Sequence, residues 1–188
     1  TKQIKTIAKG VRNTVGFDFH PATQALWFSD NGRDMMGDDI PPDELNRATQ
    51  EGEHFGFPYV HAGAIIDPEF GEGKNIADYT SPALALPAHV APLGIHFYNG
   101  KQFPASYKQQ LFVAEHGSWN RSKKSGYKVG LATIEVGRVT KYTPFITGFM
   151  KDETTFGRPV AFAELGDGSL LVSDDYANVI YRVSYKKN

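Results

Sequence analysis

The 188-residue chain has no cysteine, only three methionines and two tryptophans, and no apolar run approaching the ~20 residues that a membrane-spanning helix needs. Without cysteine there can be no disulfide framework and no thiolate metal site, although intracellular and exported proteins both manage without it. Charge of one sign is also missing. Twenty Lys and Arg against 21 Asp and Glu leave a net charge of −1, with the two signs interspersed, so no extended positive field exists to hold nucleic acid or an anionic membrane surface. The chain begins at Thr1 without a signal-type apolar run, which leads us to expect a processed or truncated soluble chain.

What is present is a globular composition, 40% hydrophobic and 13% aromatic, organised as one domain over residues 1–188. One pattern recurs three times: a short apolar strand, a turn, and a second strand ending in an acidic or polar loop. It runs from Gly16-Phe17-Asp18-Phe19 through the His20-Pro21 turn to Leu26-Trp27-Phe28-Ser29-Asp30. It returns from Gly94-Ile95-His96-Phe97 to Leu111-Phe112-Val113-Ala114-Glu115, and again from Val160-Ala161-Phe162-Ala163 to Leu170-Leu171-Val172-Ser173-Asp174. Each is a hairpin by alternation and turn chemistry. Repeated hairpins that cannot bury both faces alone predict an all-β β-propeller of four-stranded antiparallel blades, here about three of them. Residues 128–136 and 138–142 read as outer strands around Gly137, and Val179–Val183 as the final strand. Segments 33–63 and 64–90, rich in Gly, Pro, Asp and Glu, read as long loops. Pro41-Pro42 followed by Asp43 and Glu44 predicts a short helix over 42–51. Gly52, Gly56 and Pro58 read as residues that shape a tight return of the chain.

The run Gly10-Val11-Arg12-Asn13-Thr14-Val15-Gly16 resembles the Arg-Asn-x-x-Gly segment of the glucose/sorbosone dehydrogenase family. Further elements follow in family order: Leu26–Gly32, Asp43-Glu44-Leu45-Asn46, Gly52–Pro58, then Ala91–Gly94, Leu111–Ala114 and Gly157–Val160. The resemblance implies a periplasmic or secreted oxidoreductase that oxidises aldose sugars or sorbosone-like aldehydes with pyrroloquinoline quinone (PQQ) held by calcium. It also implies a ring of six blades, of which this chain is the C-terminal half, completed by a missing half or a second chain. On the same basis Arg12, Asn13, Asn31, Asp43, Trp119 and Arg158 are expected at the quinone, and the carbonyls of Gly32 and Arg33 at the calcium. Arg33 stands where the family often has proline, and Met35-Met36-Gly37 is an insertion. His116 falls near a basic cofactor contact of the family, while the general base is expected in a blade before Thr1.

The chemistry of these residue types is compatible with those roles. A guanidinium fork binds a carboxylate or carbonyl pair in bidentate fashion, an amide both donates and accepts, an indole stacks on a planar ring, and calcium takes several oxygen ligands. Other readings stay open. Arg12 has the chemistry to pair with a local acid, Asp30–Asp34 to be a solvated turn, Asp43 to complement a helix start, and Arg158 to form an inter-blade salt bridge. Two further functions compete with the oxidoreductase: a non-catalytic propeller that binds or assembles, and a propeller lactonase that activates water with calcium.

Overall fold

A computed structural model describes residues 2–186, and its strands form three successive antiparallel blades. The first comprises Phe17–Phe19, Leu26–Asp30, Pro42–Ala48 and Leu84–Ala88, from the inner strand outwards. The second comprises Pro92–Phe97, Leu111–Glu115, Lys128–Glu135 and Arg138–Ile146. The third has Pro159–Glu164, Leu170–Asp174 and Val179–Val183. The recurring hairpins are thus the inner two strands of each blade.

Residues 42–48 are not the expected helix but a strand, paired on one side with Leu26–Asp30 and on the other with Leu84–Ala88. Local acids after a proline pair favour a helix start, yet both faces of this segment are buried, and ladder bonds to two neighbours override that preference. The two long segments read as loops likewise each contribute a blade strand, 42–48 from one and 84–88 from the other. Between them lie the short strands Glu53–His54, Val60–His61 and Ile65–Ile66, a 3-10 turn at Ile76–Asp78, and connecting turns, including one at Gly56, where φ is +107° and an added side chain would strike the Val60 carbonyl.

Strand alternation sends side chains to opposite blade faces, and the core accordingly lies between blades rather than within them. Trp27, Leu45 and Leu86 of the first blade meet Ile95, Phe97, Leu111 and Val113 of the second. On the other side of the second blade, Phe112 and Val129 meet Leu170 and Val172 of the third, with Tyr98, Phe103 and Phe149 filling the gap. Every residue of Leu111–Glu115 is therefore buried. Polar contacts lace the same seams. Ser29 Oγ donates to Leu93 O at 2.6 Å, Asp18 Oδ2 accepts from Phe97 N at 2.8 Å, and Glu164 Oε2 accepts from Asn99 N at 2.9 Å. The outward flanks of the arc are apolar and uncovered: Phe17 is 66% exposed on the first blade and Ile180 68% exposed on the third.

The inner strands approach closely enough that glycine is required at the seam. A Cβ at Gly94 would sit 2.6 Å from Val160 O and 2.8 Å from Ala161 Cα, both backbone atoms of the next blade. Gly94→Ala must push the blades apart and is expected to cost about 1–3 kcal/mol, the usual range for overpacking. Gly166→Ala, which meets nothing within 4 Å, is expected to be near neutral. Thermal and urea melts of the two variants would check this, and equal effects would contradict the close seam.

Candidate functional site at the inner mouth of the blades

The second strand of the first blade ends in Asp30, whose carboxylate is buried. Its Oδ2 accepts from Arg12 N at 2.9 Å and its Oδ1 from Asn13 N at 2.7 Å, which fixes the backbone of the segment leading into the inner strand. Burial pushes the Asp30 carboxyl up, with the Arg12 and Asn13 amides opposing it. The third blade repeats the device: Asp174 Oδ1 accepts from Arg158 N at 2.9 Å. The backbones of Arg12 and Arg158 are therefore fixed by the same kind of bond two blades apart, Arg12 ahead of the inner strand that starts at Phe17 and Arg158 directly before the one that starts at Pro159.

Between them, the loop after Glu115 supplies the middle of the site. Arg158 Nε donates to His116 O at 3.0 Å and its Nη2 to Gly117 O at 2.6 Å, while its guanidinium lies 5.4 Å from the centre of the Tyr127 ring. The inter-blade contact of Arg158 is thus real, but to neutral carbonyls rather than to an acid. His116 Nε2 lies 2.9 Å from Asp175 Oδ1, and Trp119 stands at the rim, 73% exposed.

From the first blade, Asn31 Nδ2 donates to Asn13 O at 2.9 Å. Asp43 Oδ1 accepts from Gly32 N at 2.7 Å, and its Oδ2 accepts from Ala91 N at 2.9 Å. Both carboxylate oxygens of Asp43 are engaged, so it braces the first blade's loop against the lead-in to the second. Together these groups enclose a cavity of about 370 Å³, within the range of small-molecule sites. Arg12, Asn13, Asn31, Gly32 and Asp43 line it from the first blade, and Trp119 and Arg158 from the others. The Arg33 side chain does not join them. It turns outward to Asp67 at 2.6 Å and Glu69 at 2.7 Å, and His61 Nε2 meets the same Asp67 oxygen at 2.7 Å.

Asp34, His89 and Leu93 also line the cavity; the sequence places Asp34 in an acidic loop suited to a cation, His89 beside a loop of the central face and Leu93 in the Ala91–Gly94 motif, without a role at the quinone for any of them. Asp34 Oδ2 accepts from Arg12 Nη2 at 2.7 Å, so Arg12 does have a local acidic partner. By composition the acidic loop Asp30–Asp34, with Asp38 and Asp39, invites a cation; what composition does not show is that one of its acids stands in reach of the arginine. Among the described residues no three His, Cys, Asp or Glu side chains gather as a metal group. Trp119, with Arg12 and Arg158 on two walls, suits a planar anionic ligand.

The fold is that of a β-propeller, with a cavity at the inner mouth of its blades into which several polar side chains converge. Residues 2–118 match the family described as Glucose / Sorbosone dehydrogenase, and residues 73–186 match one described as TrAA12-like. The chain belongs to the glucose/sorbosone dehydrogenase family. It is 50% identical to an uncharacterized protein of Borreliella burgdorferi over all of this chain and 50% of that protein. It is 30% identical to Aldose sugar dehydrogenase YliI of Escherichia coli over 55% of this chain and 27% of that protein. The chain thus spans half or less of the length of these relatives. Its fold matches a calcium structure of the Trichoderma reesei carbohydrate-active enzymes family AA12 with a TM-score of 0.76 at 21% identity, covering 92% of this chain and 52% of that one. The holo form of the pyranose dehydrogenase PQQ domain from Coprinopsis cinerea gives 0.69 at 20% identity, covering 96% and 56%.

Two acids in this region are held far from their ordinary titration. Burial pushes Asp43 up to about 6, with the Gly32 and Ala91 amides opposing, and pushes Glu44 up to about 7, against hydrogen bonds from Asn46 and Ala62. Glu44 Oε1 accepts from Ala62 N at 2.7 Å and Oε2 from Asn46 Nδ2 at 2.9 Å, while Asn46 Oδ1 is buried without a partner. Because the folded pKa of Glu44 lies above its unfolded value of 4.5, the stability it lends is full below pH 4.5 and lost as pH rises through about 7. That loss is at most about 3 kcal/mol. In Glu44→Gln the amide would keep the Ala62 bond and donate to a flipped Asn46 Oδ1. Urea melts across pH 4.5 to 7 should therefore show a flatter profile than wild type; an unchanged slope would mean that Glu44 is ionised throughout.

Proposed function

We propose that these blades form part of a PQQ-dependent dehydrogenase acting on aldose sugars or sorbosone-like aldehydes, with the cofactor in the cavity between Arg12 and Arg158. The observation that carries the reading is the placement of two arginines by the same carboxylate device on two walls of one cavity, with Trp119 at its rim. When bound, the quinone supplies the hydride acceptor. The chain's own residues supply its cradle. Arg12 and Arg158 offer charge-assisted donors to carboxylates or to the adjacent carbonyl pair, Asn13 offers a donor and acceptor beside Arg12, and Trp119 offers a stacking face. The carbonyls of Gly32 and Arg33, with Asn31 close by, would hold the calcium, and Asp43 fixes their loop through Gly32 N.

The general base that takes the sugar hydroxyl proton is proposed to come from the part of the ring outside these three blades, which would also cover the exposed flanks at Phe17 and Ile180. Export to the periplasm is proposed with the same function.

The test is PQQ- and calcium-dependent dye reduction with glucose or sorbosone, for this chain alone and for the chain joined to, or mixed with, the N-terminal half. Turnover is expected only with the half restored. In that completed ring Arg12→Ala should weaken PQQ binding by about 10–100-fold, the loss expected for a charge-assisted hydrogen bond. Robust turnover by the chain alone would refute the placement of the base, and an unchanged affinity in Arg12→Ala would refute the cradle.

A further inference from the structure

The two arginines of the cavity differ in one respect. Arg158 rests on the neutral carbonyls of His116 and Gly117, whereas Arg12, besides donating from Nη1 to Asn31 O at 3.3 Å, has Nη2 2.7 Å from the Asp34 carboxylate, and both members of that pair are only partly exposed, at 25% and 32%. The loop that carries Asp34 is strapped in place from several sides. The His89 ring donates to Gly37 O at 2.7 Å, and Arg121 donates to Asp38 O at 2.8 Å and to Asp39 Oδ1 at 2.6 Å. Ser122 N donates to Asp38 Oδ1 at 3.0 Å, and Arg33 anchors the loop's start to Asp67 and Glu69. Residues of two blades thus hold an acidic side chain over the guanidinium that faces the cavity.

We infer that Asp34 is a built-in competitor for the anionic group of the ligand: it occupies Arg12 in the free protein and must be displaced when a carboxylate-bearing ligand binds, which makes it a specificity-determining residue. The inference rests on the proposed quinone site and adds a selection step to it. A carboxylate already bonded to Arg12 lowers the apparent affinity of any incoming anion by the fraction of molecules in which Arg12 is free. It also discriminates. A neutral sugar gains nothing by displacing Asp34, while a ligand presenting a carboxylate or a pair of carbonyls replaces one charge-assisted interaction with another. The strap sharpens the effect, since a loop pinned at Gly37, Asp38 and Asp39 keeps Asp34 close to Arg12 instead of releasing it to solvent.

Two measurements separate this inference from the reading on which it rests. In the full ring with calcium, PQQ affinity by equilibrium dialysis is expected to rise about tenfold in Asp34→Asn and to stay near wild type in Asp34→Glu. Asp39→Asn, which touches the strap and not Arg12, should change it far less. Independently of any quinone, phenylglyoxal labelling followed by peptide mass spectrometry should modify Arg12 several-fold faster in Asp34→Asn, with Arg158 as the internal reference. Binding unchanged or weakened in Asp34→Asn, with Arg12 labelled no faster, would show that Asp34 orients Arg12 rather than competing for it. Faster labelling of Arg12 with no PQQ binding by any variant would leave Asp34 as the partner that masks Arg12 and would defeat the quinone reading instead.

Discussion

The site depends on one interaction: a buried carboxylate at the end of a blade's second strand receiving the backbone amides of the segment that leads into its inner strand. Asp30 does this for Arg12 and Asn13, and Asp174 for Arg158. An acid so placed cannot be solvated, so it must be satisfied by donors nearby, and the nearest unpaired amides belong to the incoming chain. The side chains of that incoming chain are then directed to the inner mouth. The second blade keeps the acid and changes its partners: Glu115 is held by the Tyr142 hydroxyl at 2.6 Å and by Lys128 at 3.3 Å. There the lead-in is fixed by backbone bonds from His116 to Ala91 and from Gly117 to Val90, with Asp43 reaching across to Ala91. The middle blade therefore has Val90 and Ala91 at its lead-in, and the loop after its second strand offers the carbonyls of His116 and Gly117, which receive Arg158.

The recurrence of the hairpins was legible because alternation and turn residues are local properties, and the acids that close them stand at fixed places in the repeat. Arg12, Asn13, Asn31, Gly32, Asp43, Trp119 and Arg158 line one cavity, and what brings them together in the sequence is the order of motifs rather than any single residue. The third strand of the first blade was misread because Asp43 and Glu44 after two prolines carry a local helix-start signal, while the bonds that make it a strand come from Leu26–Asp30 and Leu84–Ala88. Arg33 and Asp34 were opaque for a related reason. Their directions are set by Asp67, 34 residues ahead, and by Arg12, 22 residues behind, and neither separation follows from composition or period.

Asp43 does more than line the cavity. Its position at the cavity was expected, but both of its oxygens serve backbone amides, one on each of two blades. It acts as a strut, and the raised titration of its carboxyl follows first from the burial that this bridging requires. Its value to a bound ligand is indirect, in holding Gly32 and the lead-in at Ala91 at a set separation.

The glycine seams have a mechanical consequence for this cavity. Arg12 and Arg158 stand on blades with the second blade between them, so the span separating the two guanidinium groups is a stack of two tolerances, one at Gly16 against Leu93 and one at Gly94 against Val160. As in any assembled part, errors at the joints add at the far ends. A side chain enlarged at a seam, far from any ligand atom, would open the jaw of the site as surely as one placed inside it. The absence of a side chain at these two positions serves as the gauge block that sets the width between the arginines.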